Sequence, residues 1–242
     1  MKPMNIDNLK IILAYLMFAL TQNSLAIPND PESWLRKADE IRNPSESYFM
    51  QIAVESENTT HKFDVYLLGN NKTLIVTKEP AINIGRNMLM VDQDFYAYIP
   101  NLKRAIRLSL AQKLTGLVAN GDIARTRWYQ DYKPTIISNE SDKITLSLEA
   151  QKNNLTYQKI KLVLDKTHDG APLLAEYLSA DGKLTIKTAY FEEYGIILNK
   201  RRPRQIKIVD KDQKSSVIKI LSMEPKDLKN DFFTQSNLER IK

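Results

Sequence analysis

The spacing of apolar residues changes along this chain, and each change predicts an element. Ile11 to Leu20 is an unbroken apolar run, preceded by Lys2 and Lys10 and followed by Ser24-Leu25-Ala26. A positive start, a short apolar middle and a small-residue ending make the layout of a secretory signal peptide, with cleavage expected after Ala26. The run is about ten residues and a helix needs about 20 to cross a bilayer, so the run suits cleavage better than anchoring. Residues 1–26 are therefore read as a signal peptide and residues 27–242 as a single exported domain.

The period becomes helical at Asp30-Pro31-Glu32-Ser33, where Asp30 can accept the first free amides and Pro31 fits the first helical position. Trp34, Leu35, Ala38 and Ile41 then share one face to about Arg42, and Asn43-Pro44 stops the helix. Such a stripe faces a core in preference to a cofactor. From Ser47 the period is two: Tyr48, Met50, Ile52 and Val54 alternate with Phe49, Gln51, Ala53 and Glu55. Further strands are expected at Lys62 to Leu68, Thr73 to Thr77, Asn87 to Val91, Phe95 to Ile99 and Arg104 to Leu108. Gly69-Asn70-Asn71, Asp92-Gln93-Asp94 and Pro100-Asn101 separate them as turns. Short polar connections imply antiparallel neighbours.

Between Ser109 and Pro134 the strand pattern lapses. Leu110, Leu114 and Leu117 precede Asn120-Gly121-Asp122, and a short helix is expected at Ile123 to Trp128. Strands resume at Thr135 to Ser138, Lys143 to Ala150, Tyr157 to Asp165, Leu173 to Ser179, Lys183 to Phe191, Arg204 to Val209 and Ser215 to Ser222. Asp181-Gly182 between two of them is the strongest hairpin signal. Asp231-Phe232-Phe233 to Ile241 suggests a final turn of helix packing two phenylalanines. About a dozen antiparallel strands with two or three helices in one domain is the simplest account.

Composition narrows the chemistry. An exported chain with no cysteine can form neither disulfides nor a thiol-linked lipid tether, so apolar burial must hold the fold. The roughly 216 residues after Ala26 are enough for a large core. Loss of Lys2, Lys10 and Asp7 takes the formal charge from +6 to +5, a mildly basic balance that favours anionic surfaces such as phospholipid headgroups. No basic and aromatic platform for nucleic acid stands out. His61 and His168 lie in turn-like polar contexts far apart, a poor basis for a metal site, and no cofactor is called for. Nucleophile elbows, zinc-helix motifs and phosphate loops are missing, which argues against an enzyme. A carboxylate hydrolase needs two acids across a cleft, and no pair is singled out. Asn58, Asn71, Asn139 and Asn154 begin Asn-x-Ser/Thr triplets, for which chance is the favoured explanation.

An ordered set of fragments carries a resemblance. These are Asp92 to Pro100, Lys103 to Arg107, Leu114-Thr115-Gly116, Gly121-Asp122-Ile123, Asp131-Tyr132, Leu146 to Ala150, Ala175-Glu176-Tyr177, Gly182 to Tyr190 and Arg201-Arg202-Pro203. Nearly the whole chain after residue 26 is similar to the outer-membrane lipoprotein-sorting family of Gram-negative bacteria, the LolA-like proteins, in a branch often found with RND-type exporters. The resemblance implies a mainly β fold, a strongly curved, unclosed antiparallel β-barrel with helices covering its concave side. It also implies a periplasmic, non-enzymatic carrier that receives lipid or lipoprotein acyl chains in an apolar cavity. Related folds act as sensors or assembly factors that bind a protein, and this remains the alternative.

Candidates for lining such a cavity are Met88, Met90, Tyr96, Tyr98, Ile106, Leu108, Leu114, Leu117 and Trp128, drawn from apolar strand positions and the central insert. Methionines adapt to irregular guests. The competing reading makes all nine an ordinary sealed core. Lys200, Arg201, Arg202 and Arg204 form the densest positive run, suited to an anionic headgroup or an acidic face of an exporter, or else a solvated loop.

Overall fold

The computed structural model describes residues 30–44, 47–69 and 71–241. The expected signal peptide and Asn70 of the expected turn lie outside them. Pro31–Lys242 forms one compact unit.

Helix α1 spans Pro31–Arg42 and is followed by strands β1 (Tyr48–Ser56), β2 (Thr59–Leu68), β3 (Lys72–Glu79), β4 (Met88–Val91), β5 (Asp94–Ile99) and β6 (Arg104–Arg107). The central insertion holds a small ribbon, β7 (Lys113–Thr115) and β8 (Val118–Ala119), then α2 (Asn120–Ala124). Next come β9 (Tyr132–Asn139), β10 (Lys143–Ala150), β11 (Lys159–Asp165), β12 (Ala171–Leu178) and β13 (Thr185–Glu192). A second ribbon, β14 (Gly195–Ile197) with β15 (Lys200–Arg202), precedes β16 (Gln205–Asp210), β17 (Ser215–Pro225) and α3 (Gln235–Arg240).

Thirteen strands make one antiparallel sheet in the order β6-β5-β4-β3-β2-β1-β17-β16-β13-β12-β11-β10-β9. The sheet is not closed into a barrel. Hairpins make every neighbour pair except two: β13 meets β16 across the second ribbon, and β1 meets β17, the last strand. That pairing, Tyr48↔Pro225 to Ser56↔Ser216, ties the two halves of the sheet together.

Strand parity puts one apolar row on each face. Tyr48, Met50, Ile52, Val54, Phe63, Val65, Met88, Met90, Leu146, Leu162 and Ile218 belong to the large inner core, on which α1 and the insertion lie. The opposite face of β3 and β4 offers Leu74, Val76 and Leu89, which Leu228, Phe233 and Leu238 of the C-terminal segment cover. The two phenylalanines of the final segment, Phe232 and Phe233, pack edge to face there.

The expected helix at Ile123 to Trp128 is displaced. Observed α2 starts earlier and stops at Ala124. The Asp122 carboxylate accepts from the Ala119 amide at 2.7 Å, fixing the helix start one turn upstream. The amides of Trp128 and Tyr129 donate to the Asp39 carboxylate at 2.8 and 2.6 Å, so this stretch is held by α1 and leaves the helical path.

A buried ion pair fixes the insertion to the sheet. Lys187 of β13 donates to Asp122 at 2.6 Å and to the Leu117 carbonyl at 2.8 Å, with both charged side chains less than a tenth exposed. The Tyr157 hydroxyl donates to the other Asp122 oxygen at 2.8 Å. Removing one partner of such a pair leaves a buried charge unmatched. Lys187→Met is accordingly expected to lower unfolding free energy by roughly 3–5 kcal/mol, with Asp122→Asn added to it recovering part of the loss, both read by urea denaturation.

Candidate binding cleft

The N-terminal half of the inner face is not fully filled. Phe63, Thr77, Met88, Ala97 and Ile99 of β2 to β5 floor a cleft of about 430 Å³, roofed by Leu108, Gln112, Lys113, Leu114 and Asn120, with His61, Asn83 and Arg86 at its rim. Phe63, Met88 and Ala97 are buried there by the roof and their strand neighbours.

The roof is a ribbon bonded both to β5 and to itself. Leu108 donates to the Phe95 carbonyl at 2.8 Å, Asn120 to Gln112 at 2.9 Å and Gly121 to Leu110 at 2.9 Å. Gly116 has φ +53, and a Cβ there would lie 1.8 Å from Ser56 Oγ, so only glycine lets the ribbon close on β1. Ser216 Oγ accepts from the Leu117 amide at 2.9 Å beside its 2.6 Å contact with Ser56 Oγ. His61 bridges the roof to the β3–β4 loop, with Nδ1 3.1 Å from Thr115 Oγ1 and Nε2 3.4 Å from Asn83 Nδ2.

This architecture recurs in solved structures. A LolA superfamily protein from Nitrosomonas europaea is 34% identical, with a TM-score of 0.80 over 87% of this chain and 100% of its own. The chain belongs to the LolA superfamily. A putative outer membrane lipoprotein-sorting protein domain from Vibrio parahaemolyticus shares the fold at 19% identity and TM-score 0.75, covering 87% of this chain and 98% of its own. A DUF1329 family protein from Desulfovibrio piger does so at 20% identity and TM-score 0.72, covering 87% and 100%. A family model described as "Uncharacterized protein" matches residues 69–240. No curated protein matches.

In this LolA superfamily chain several of the quoted fragments meet in space. Gly121-Asp122 reaches Lys187 through the buried pair, and a Cβ on Gly121 would lie 1.8 Å from Thr156 Oγ1. Arg125 donates to Asp131 at 2.7 Å and to the Asp92 carbonyl at 2.8 Å. Burial works against the Asp131 carboxylate, but hydrogen bonds from Arg125 and Lys152 outweigh it and hold its pKa below the usual range.

Of the residues expected to line a cavity, Met88, Leu108 and Leu114 border the cleft. Met90 is fully buried in the inner core and Leu117 packs against it. Trp128 is buried against Phe191, with the Arg42 guanidinium 4.2 Å above its ring. Ile106 pairs with Ala97 at the sheet edge and shares its face. Tyr96 and Tyr98 are a correction, because they lie on the opposite face against the C-terminal cover. The register decides this: Met88↔Ala97 and Met90↔Phe95 are opposite pairs, so the methionines share a face with Ala97 and Phe95.

The positive run also divides. Arg202 is buried and donates to the Glu40 and Ile41 carbonyls at 2.7 and 2.6 Å, capping the C-terminal end of α1. It is therefore unavailable for docking. Lys200, Arg201 and Arg204 are exposed, Arg201 lying over the Tyr194 ring at 4.2 Å. His61 is a further correction, standing in β2 above Phe63 where a turn was expected. Parity carried from Met88 into β5 and β2 would have found Ala97, Ile99 and Phe63. The rim residues His61, Asn83 and Arg86 gave no such signal.

Asp39 links α1 to the end of the insertion from full burial, which pushes its pKa up to about 6 against opposing backbone hydrogen bonds and nearby arginines. Because its folded pKa exceeds the ordinary 3.8, ionising it costs stability as pH rises through that interval. Asp39→Asn keeps an acceptor oxygen but cannot ionise. The stability of Asp39→Asn relative to the native chain should climb between pH 4 and pH 6, by up to about 3 kcal/mol, and be level above that. Chemical denaturation across pH reads the difference; a pH-independent gap rejects a burial cost at Asp39.

Proposed function

We propose that this protein is a non-enzymatic periplasmic carrier that shields an acyl chain, of a lipid or a lipoprotein, for transfer between membranes. The observation that carries the reading is the cleft under the insertion. Its volume of about 430 Å³ falls within the roughly 300–1,000 Å³ of small-molecule sites, and its floor is apolar at Phe63, Met88, Ala97 and Ile99 and polar at Thr77. Each methylene buried there is worth about 0.8 kcal/mol, so one long chain supplies on the order of 10 kcal/mol without any reaction. Release follows from the roof, whose side-chain ties to the sheet beside the cleft are His61 to Thr115 and Ser216 to Leu117. A small shift of this ribbon against the strands widens the mouth.

Export to the periplasm is supported by the layout of residues 1–26 and by the lipoprotein-sorting description of the Vibrio domain. The donor in this reading is a membrane protein such as an RND-type exporter, met through Lys200, Arg201 and Arg204, the exposed cations that also suit an anionic headgroup.

Leu108→Trp and Leu114→Trp enlarge half-buried roof side chains into the cleft. Each is expected to weaken binding of a fluorescent long-chain fatty acid by tenfold or more, with the thermal midpoint kept within a few degrees. Mass spectrometry of solvent extracts from the native protein should find co-purified lipid that the two variants lack. Binding that is equally strong in a folded Leu108→Trp protein removes the cleft from the proposal.

A further inference from the structure

The end of the sheet beside the cleft mouth carries an apolar tip ringed by cations. β3 to β6 are successive antiparallel neighbours, so the β3–β4 loop and the β5–β6 loop leave the sheet at the same end. The loops touch: a Cβ on Gly85 would lie 3.3 Å from Pro100 Cγ. Asn83 and Arg86 of the first loop, and Ile99 at the start of the second, border the cleft itself.

Three large aliphatic side chains point outward from these loops. Ile82 is 87% exposed, Ile84 48% and Leu102 54%. Single exposed apolar residues are ordinary on any surface, but a group of them beside an apolar cleft is not a scatter. The charge along these loops is mainly positive, the one acid at their start, Glu79, being paired with Lys62. Pro80 to Val91 contains Arg86 and no acid, and Phe95 to Gly121 contains Lys103, Arg104, Arg107 and Lys113 and no acid. Arg107 is paired with Asp94, while Arg86, Lys103 and Arg104 are exposed.

We propose that this tip docks the protein on an anionic phospholipid surface. Ile82, Ile84 and Leu102 enter the boundary between headgroups and acyl chains, and Arg86, Lys103 and Arg104 meet the phosphates. Aliphatic residues flanked by cations are what binding at an anionic bilayer interface requires, with no shape-matched partner needed. Docked in this way, the cleft mouth faces the bilayer, so a chain passes between membrane and cleft with little exposure to water. The proposal rests on the carrier reading of the cleft, but Ile82, Ile84, Leu102, Lys103 and Arg104 do not line it, and Arg86 alone of the docking residues stands at its rim.

The test is flotation of the purified protein with vesicles of phosphatidylethanolamine and phosphatidylglycerol, beside vesicles of phosphatidylcholine alone. Partitioning to the anionic vesicles is expected to fall at least tenfold in the combined variant Ile82→Ser, Ile84→Ser, Leu102→Ser, and similarly in Arg86→Gln, Lys103→Gln, Arg104→Gln. The serine variant should bind the fatty acid probe in solution as the native protein does. Both native tryptophans, Trp34 and Trp128, are buried, so Ile82→Trp gives a reporter whose emission should shift to the blue on anionic vesicles. Native protein that ignores anionic vesicles, or a serine variant that floats as well as native, overturns the docking in favour of a protein partner at this tip. Vesicle binding without fatty acid binding instead retires the carrier reading and leaves the docking standing.

Discussion

A sheet that does not close on itself must cover its apolar inner face with something other than its own strands. Here thirteen strands leave that face to α1, lying against β9 and β12, and to the insertion between β6 and β9. Everything distinctive about the molecule follows from how incompletely this cover fits. Over the C-terminal strands the helix and the ring pairs Trp128 with Phe191 and Tyr157 with Tyr177 pack into the main core. Over β2 to β5 the thin ribbon of the insertion cannot fill the space, and a cleft remains.

Polar bonds fix where the cover sits on its apolar bed of Trp34, Leu35, Ala38, Val118 and Ile123. Lys187 with Asp122, Asp39 with the Trp128 and Tyr129 amides, and Arg202 with the end of α1 each satisfy a buried charge while joining separate chain segments. Buried charges of this kind contribute little net stability against an apolar alternative, but they specify where the insertion sits. The division of labour suits a carrier: polar ties hold the insertion at its α2 end, and the lighter contacts of Thr115 and Leu117 hold the roof over the cleft.

The end of the sheet at the β3–β4 and β5–β6 loops combines the cleft opening with an exposed apolar tip and exposed cations. Desolvation explains why these features suit each other. An acyl chain leaving a bilayer for an open cleft would expose methylenes at about 0.8 kcal/mol each, and contact between mouth and membrane removes that cost.

Period-two alternation marked the thirteen strands of the main sheet, because side-chain parity is a local property of extended backbone, but not the short ribbons β7–β8 and β14–β15, the last lying where a loop was expected. The stripe of Trp34, Leu35, Ala38 and Ile41 likewise determined α1. Pairing of β1 with β17 was not legible, since nothing near Tyr48 in sequence encodes a partner 177 residues away in the register Tyr48↔Pro225. The faces of Tyr96 and Tyr98 depended on register with β4, and the burial of Arg202 on the end of α1 arriving beside it. Sequence alone decided which residues alternate and where the chain turns, since these depend on neighbours a few bonds apart. Which alternating face became floor, core or outer surface was decided by contacts between distant segments, and these exist only once the chain has folded.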